Sequence, residues 1–157
     1  MVCGKESAMC GRFLDLEARE IFPSDLVEVE TIQGTMDKIW GVVNKYSNNT
    51  MINARSETVN ELAMFKYMKP CVIPAIGYFE WDKDKKKYLF TKKNQTVIHM
   101  AGVYRDDRFV IITKDAYEQF APIHHRMPYI LSAVDIQIWF DEKKLFYRDE
   151  ELVCKIA

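Results

Sequence analysis

Short strand-like segments follow one another along most of this chain. Residues 26–32 alternate apolar and acidic side chains with period two, which is typical of a strand with one solvated face. Residues 71–81 are apolar and β-rich, but Pro74 and Gly77 interrupt them, so we expect a bent or bulged strand. Further strands are predicted at residues 38–45, 87–92, 96–104 and 109–113, with 87–92 and 96–104 joined as a hairpin.

Helix signals are fewer and shorter. Thr58 and Glu61 have the spacing of a capping box and predict a helix at residues 59–68. Ser132 and Asp135 predict the start of another helix, and short helices are also expected at residues 14–21 and 115–121. A chain of 157 residues suits one domain. We therefore predict an α+β fold: a single domain with a mainly antiparallel, barrel-like β-sheet and short flanking helices.

The charge balance argues against a protein that coats nucleic acid by bulk electrostatics. The formal net charge is −1 and the pI is about 6.3, so any DNA binding has to come from a local basic patch. Residues 83–93 hold six lysines against one aspartate. A solvated hairpin is the simpler explanation of this run, and a phosphate-binding track is the alternative.

Targeting and redox signals are sparse. No apolar run reaches the roughly 18 residues of a membrane span, and residues 1–8 lack the apolar core of a secretory signal, so we expect a cytoplasmic protein. The four cysteines, Cys3, Cys10, Cys71 and Cys154, form no CxxC pair and match no zinc-site spacing with the histidines. We expect no disulfide, no metal and no other cofactor.

Four short segments concentrate polar residues in otherwise apolar surroundings. Together they supply a nucleophile, an amide, a carboxylate, an imidazole and three arginines. The segments are MCGR at residues 9–12, NARSET at 53–58, PAIGYFEW at 74–81 and HHRMP at 124–128.

These segments, in this order, resemble the SOS-response-associated peptidase (SRAP) family over residues 9–141. The resemblance implies an SRAP domain at residues 9–157 that binds single-stranded DNA next to a duplex junction and crosslinks covalently to abasic sites. An N-terminal cysteine carries an amine and a thiol on adjacent carbons. The amine forms a Schiff base with the ring-opened aldehyde of the abasic site, and the thiolate then closes a thiazolidine ring.

The family's catalytic roles carry over to four positions of this chain. Cys10 would be the nucleophile at both nitrogen and sulfur, and Asn53 would hold the amine or the opened sugar by hydrogen bonds. Glu80 would transfer protons as the acid/base. His124 would assist ring opening. Each residue also has an ordinary structural alternative: a small buried cysteine, a solvent-facing strand glutamate, or a histidine in a turn.

The resemblance also implies a DNA-binding surface. Arg12, Arg55 and Arg126 would contact flanking phosphates, because a planar guanidinium suits bidentate contacts. Trp40 could provide a stacking surface for a base. The alternatives are a surface ion pair between Arg55 and Glu57 and a core position for Trp40.

Residues 1–8 precede the MCGR segment, which usually stands at the start of the family's sequences. We predict that they are a leader, the product of a miscalled start, or a propeptide that the protein removes itself. Two other functions remain open: a thiol hydrolase using Cys10, His124 and Glu80 or Asn53, and a non-enzymatic module that binds single-stranded DNA. We expect a monomer that does not associate with membranes.

Overall fold

The computed structural model describes residues 11–94 and 96–157. The predicted leader at residues 1–8 and the proposed nucleophile Cys10 lie outside the described residues. The elements in chain order are β1 (Arg12–Leu14), β2 (Glu20–Ile21), β3 (Leu26–Thr31), β4 (Gly34–Trp40), β5 (Val42–Val43), β6 (Thr50–Met51), β7 (Asn53–Arg55), β8 (Lys69–Ala75), β9 (Gly77–Trp81), β10 (Lys87–Lys92), β11 (Ile98–Arg105), β12 (Arg108–Asp115), β13 (Arg126–Pro128), α1 (Ala133–Glu142) and β14 (Leu152–Ile156).

Five of these strands close on themselves. The order is β11-β8-β3-β4-β12, and β12 pairs back onto β11, so the sheet forms a barrel. All contacts around this ring are antiparallel except the parallel pairing of β4 with β12. β13 and β7 extend the sheet alongside β12, antiparallel and parallel respectively. The predicted fold class, an α+β domain with a mainly antiparallel, barrel-like sheet, is confirmed.

A second sheet has the order β14-β10-β9-β1-β2. It is continuous with the barrel because β8 ends at Ala75 and β9 begins at Gly77. The bend predicted within residues 71–81 lies at this junction. A Cβ atom on Gly77 would stand 2.5 Å from the carbonyl oxygen of Phe90, so only glycine allows β10 to approach so closely.

Two apolar clusters lie on opposite faces of the barrel strands. The interior cluster takes side chains from all five strands of the ring and also includes Phe13, Tyr78 and Phe90 from the second sheet. The other cluster takes the alternate residues of β8, β11 and β12 and is covered by α1. Trp139 of α1 is fully buried there, and its indole N–H donates to the carbonyl of Cys71 at 2.9 Å.

Three predicted helices are wrong. Residues 14–21 form the β1–β2 turn, because the Asp15 carboxylate accepts the backbone N–H groups of Glu17 and Arg19 at 3.0 and 2.8 Å. Residues 59–68 and 115–121 form isolated turns without a continuous helical hydrogen-bond ladder. Within the described ranges, α1 is the one α-helix, and Ser132 is its N-cap as predicted.

The predicted hairpin between residues 87–92 and 96–104 is also wrong. Both segments are strands, but β10 pairs with β9 and β14, whereas β11 pairs with β8 and β12. Each strand therefore belongs to a different sheet.

Candidate functional site: a polar rim at the barrel

Glu80 lies on β9 and faces the interior of the domain. Side chains alternate along a strand, so Glu80 shares a face with Tyr78. The Tyr78 ring stacks on Phe90 in the interior cluster, with the ring centroids 4.8 Å apart. The side chain of Glu80 is 3% exposed. The solvent-facing alternative for this glutamate is therefore excluded.

Arg12 lies on the opposite face of the same sheet. It pairs with Phe79 across β1 and β9, and its neighbour Phe13 belongs to the interior cluster. The guanidinium donates to Glu20 at 2.9 Å and lies 4.0 Å above the centroid of the Phe22 ring. The side chain is one-third exposed, so a phosphate can reach it from solvent.

Lys87 joins Arg12 on this outer face. Its ammonium donates to the same Glu20 carboxylate oxygen at 2.8 Å and lies 4.2 Å above the Phe79 ring. The hydrogen bond from Lys87 is the main reason that the pKa of Glu20 lies below its usual value, and Arg12 adds to the effect. Trp81 completes the face, with its ring 5.1 Å from the Arg12 guanidinium carbon.

Asn53 and Arg55 are held beside β12. β7 pairs in parallel with β12, which places Asn53 opposite Ile111 and Arg55 opposite Thr113. Ile111 belongs to the interior cluster, whereas Ala54 belongs to the other cluster. Asn53 and Arg55 therefore lie on the interior-facing side of their strand, as Glu80 does on β9. The Asn53 amide nitrogen donates to the carbonyl of Ile52 at 3.1 Å.

Arg126 is buried beside β12, and both terminal nitrogens of its guanidinium donate hydrogen bonds to protein groups. Its side chain is 4% exposed. The two terminal nitrogens donate to both carboxylate oxygens of Glu57, each at 2.9 Å. They also donate to Asp115 at 2.8 Å and to the carbonyl and hydroxyl oxygens of Thr113 at 3.0 and 3.2 Å. The predicted phosphate contact by Arg126 is therefore not available in this structure, because both terminal nitrogens already donate to Glu57, Asp115 and Thr113.

His124 precedes this arginine and has a fixed orientation. The backbone N–H of Arg126 donates to Nδ1 of His124 at 3.2 Å, so the neutral imidazole carries its proton on Nε2. The rings of His124 and His125 stack with their centroids 4.7 Å apart. Burial lowers the pKa of His124, and the neighbouring His125 lowers it further. The ring is thus held as a neutral Nε2–H donor.

Trp40 does not lie on a binding surface. The side chain is fully buried in the interior cluster, where its ring lies 5.1 Å from that of Phe13 and 6.4 Å from that of Phe109. The indole N–H donates to the carbonyl of Ile52 at 3.1 Å. The predicted stacking role is wrong because no face of the indole is open to a base, and the core alternative is correct.

A family model described as "SOS response associated peptidase (SRAP)" matches residues 27–155. The chain belongs to the SRAP family. The matched residues run from β3 into β14 and include Asn53, Glu80 and His124. Three of the four motifs that indicated this family lie within the match, whereas the MCGR segment at residues 9–12 lies outside it.

Similar proteins are found among curated sequences. The chain is 30% identical to an abasic site processing protein of Saccharomyces cerevisiae, over 73% of this chain and 37% of the relative. It is also 30% identical to the abasic site processing protein YoaM of Bacillus subtilis, over 66% of this chain and 55% of the relative. The chain thus spans between about a third and just over half of the length of these curated relatives.

Solved structures share the fold. A crystal structure of a protein from Bacteroides thetaiotaomicron matches with a TM-score of 0.73 and 21% identity, over 87% of this chain and 76% of that one. One from Bordetella bronchiseptica matches with a TM-score of 0.74 and 20% identity, over 88% and 86%. These likenesses support the SRAP fold and carry no functional argument.

The sequence did not indicate the main partners of this candidate site. Glu57 was interpreted as a possible partner of Arg55, but it pairs with Arg126, which lies 69 residues away. Lys87 and Trp81 were not recognised as neighbours of Arg12, because their proximity depends on the β1–β9–β10 register.

The described cysteines are poor nucleophiles. Complete burial raises the pKa of the Cys71 thiol well above its usual value, and burial also raises the pKa of Cys154. No group of three or more potential metal ligands occurs among residues 11–94 and 96–157. In the same described part, no helix is long and apolar enough to cross a membrane.

The Arg126–Glu57 pair predicts an acid-dependent loss of stability. Hydrogen bonding to Arg126 lowers the pKa of Glu57 from 4.5 to about 2. A depressed carboxyl pKa stabilises the fold above the unfolded value, and this contribution is lost as the pH falls from about 4.5 towards 2. We expect the free energy of unfolding, measured by urea titration, to fall over that range more steeply for wild type than for Glu57→Gln. Equal slopes would show that this pair contributes nothing, and comparing the two proteins removes the contribution of other carboxylates.

Proposed function

We propose that this chain attaches itself covalently to abasic sites in single-stranded DNA through Cys10, once removal of the preceding residues has made Cys10 the N-terminus. The observation that carries the proposal is the pairing of β1 with β9. β1 begins two residues after Cys10 in the sequence, and its Arg12 pairs with Phe79, the residue before Glu80. The chain that follows the cysteine is thus hydrogen-bonded to the strand that carries the proposed acid/base.

The reaction joins one aldehyde to one aminothiol and releases one water. The neutral α-amine of Cys10 adds to the aldehyde carbon of the opened sugar, and loss of water gives an imine. The thiolate sulfur then forms a bond to the imine carbon, and the imine nitrogen takes up a proton as the thiazolidine closes. Glu80 supplies and removes the protons of these steps. An internal cysteine cannot react in this way because its nitrogen is an amide.

The remaining roles follow those that the family resemblance implies, and the orientations of the side chains are compatible with them. His124, held with its proton on Nε2, donates a hydrogen bond to an oxygen of the abasic sugar and assists its opening. Asn53 lies on the same interior-facing side as Glu80 and holds the amine or the opened sugar. On the outer face, Arg12 contacts a phosphate, and the rings of Phe22 and Trp81 beneath it offer a surface for stacking.

Arg55 is the last residue of β7 and its side chain is exposed there, so it can contact a flanking phosphate directly. The relatives in Saccharomyces cerevisiae and Bacillus subtilis are named abasic site processing proteins, which supports abasic DNA as the substrate class. We further propose that the peptidase activity in the family's name is limited in this chain to removal of residues before Cys10. The chain would act as a monomer.

The test uses the protein trimmed to begin at Cys10 and a single-stranded oligonucleotide containing one abasic site. We expect a shifted band on a denaturing gel with the trimmed protein, and none with its Cys10→Ser variant or with the untrimmed chain. Absence of the band from trimmed protein that is folded by circular dichroism would overturn the proposal. A thiol hydrolase would keep its activity after acetylation of the α-amine, whereas crosslinking would be lost.

A further inference from the structure

The hydrogen-bond donors of the Arg126 guanidinium are all buried or already in use. A guanidinium has five N–H groups. One terminal nitrogen donates to Glu57 and Asp115, and the other donates to Glu57 and Thr113. The fifth N–H, on Nε, is buried without a hydrogen-bond partner in the structure. Arg126 therefore has no accessible donor left for a ligand while Glu57 remains in place.

Of the two carboxylates, Glu57 is the one that covers both terminal nitrogens of Arg126, whereas Asp115 contacts only one of them. Thr113 belongs to β12 and is buried, whereas the side chain of Glu57 is 46% exposed in the turns that follow β7. Its two carboxylate oxygens accept from two parallel N–H groups, which is the arrangement that two oxygens of a phosphodiester also adopt with arginine. Glu57 thus occupies the position of an anionic ligand on Arg126.

The local charges make this position unfavourable for DNA in the free protein. One guanidinium faces two carboxylates, those of Glu57 and Asp115, at 2.9 and 2.8 Å. An approaching phosphate would be repelled most by Glu57, because Asp115 is largely exposed and screened by solvent, and it would find the N–H donors already occupied. If Glu57 turned towards solvent, the paired donors would be uncovered and one negative charge would move away.

We propose that Glu57 is an internal competitor for DNA: its carboxylate occupies the paired donors of Arg126 in the free protein and is displaced by a backbone phosphate. The inference rests on the proposed DNA-binding function. Glu57 then determines how much affinity the fold gains from its buried arginine, and single-stranded DNA binds only where contacts elsewhere offset the displacement. The low pKa of Glu57 keeps the competitor ionised throughout the physiological range.

The experiment compares the binding of an unmodified single-stranded oligonucleotide to the 157-residue wild-type chain, Glu57→Gln and Asp115→Asn. Without an abasic site no crosslink can form, so fluorescence anisotropy reports a reversible Kd at each of several salt concentrations. We expect Glu57→Gln to bind roughly five- to tenfold more tightly, because a neutral amide competes more weakly for the guanidinium. One added phosphate contact should also steepen the slope of log K against log salt by about 0.7.

Asp115→Asn is the matched control. Asp115 also accepts a hydrogen bond from Arg126, but its side chain is 85% exposed and it makes a single contact, so its Kd should change less than about twofold. Glu57→Asp is a second test, since the shorter side chain keeps the charge but cannot reach both nitrogens. The affinity of this variant for DNA should lie between those of wild type and Glu57→Gln. Melting temperatures confirm that each variant is folded.

Weaker or unchanged binding by Glu57→Gln, with an unchanged salt slope, would overturn the inference. The Arg126–Glu57 ion pair would then have only a structural role. If that result came with normal crosslinking by the trimmed wild type, the inference alone would fail. If no protein in the series bound DNA and the trimmed wild type formed no crosslink, the proposed function would fail with it.

Discussion

Replacing Glu80 with glutamine is expected to slow crosslink formation by about 10²–10⁴-fold, the usual contribution of general acid–base catalysis. Glutamine keeps the shape of the side chain but cannot exchange a proton, so addition, loss of water and ring closure all lose their proton carrier. The rate would be measured in single-turnover reactions of the trimmed protein, quenched in denaturant and resolved on a gel. The same protein should keep its affinity for unmodified single-stranded DNA.

Glu28→Gln provides the matched control for this effect, because Glu28 is an exposed strand glutamate of β3. It should crosslink at the wild-type rate. A folded Glu80→Gln protein that also reacted at the wild-type rate would remove Glu80 from the chemistry. The buried carboxyl would then be a structural residue of the second sheet.

Replacing Trp40 with alanine is expected to destabilise the fold by about 3–5 kcal/mol, because it empties a fully buried aromatic site in the interior cluster. Trp40→Phe fills much of the same space and should cost less, although it leaves the carbonyl of Ile52 without its indole donor. Urea denaturation followed by circular dichroism would measure both. Trp139→Phe, in the other cluster, serves as a comparison for loss of an indole hydrogen bond.

The two Trp40 variants, Trp40→Ala and Trp40→Phe, also separate a core role of Trp40 from a role in stacking on DNA bases. Under conditions where Trp40→Phe remains folded, we expect its affinity for single-stranded DNA to equal that of wild type. A large loss of affinity without a loss of stability would show that the indole reaches the DNA after a rearrangement. That outcome would contradict the position of Trp40 in this structure.

Much of the strand architecture was predictable because one face of each strand is buried. The alternation in residues 26–32 predicted β3 to within one residue, and the 87–92 prediction coincides with β10. The helix prediction at residues 59–68 was wrong because a capping-box spacing can also begin isolated turns, and the hydrogen bonds from Leu62 to Met68 mix three- and four-residue spacings. Local signals cannot distinguish these outcomes.

The pairing of strands that are distant in the sequence was harder to predict. Adjacent strands in sequence usually pair, which favoured a hairpin between residues 87–92 and 96–104, but the chain crosses between two sheets at that point. The register that places Lys87 beside Arg12 and Glu20 has no local signature. The sequence therefore indicated which strands exist more reliably than how they are arranged.

The candidate site divides in the same way. The motifs predicted Asn53, Glu80 and His124 as site residues, and strand alternation explains why Asn53 and Glu80 face the interior of the domain. The states of Arg126 and Trp40 were not predictable, because burial and the partner of a charge depend on elements far apart in the chain. A motif arginine was therefore expected to be free for phosphate when it is in fact committed to Glu57.

The most direct test of the central claim is to locate the covalent bond. The trimmed protein would be crosslinked to an abasic oligonucleotide, digested with nuclease and protease, and examined by tandem mass spectrometry. We predict that the sugar remnant lies only on the peptide beginning with Cys10, with a mass equal to the two reactants minus one water. A remnant on a lysine within residues 83–93, or on an internal cysteine, would contradict the N-terminal aminothiol as the reacting group.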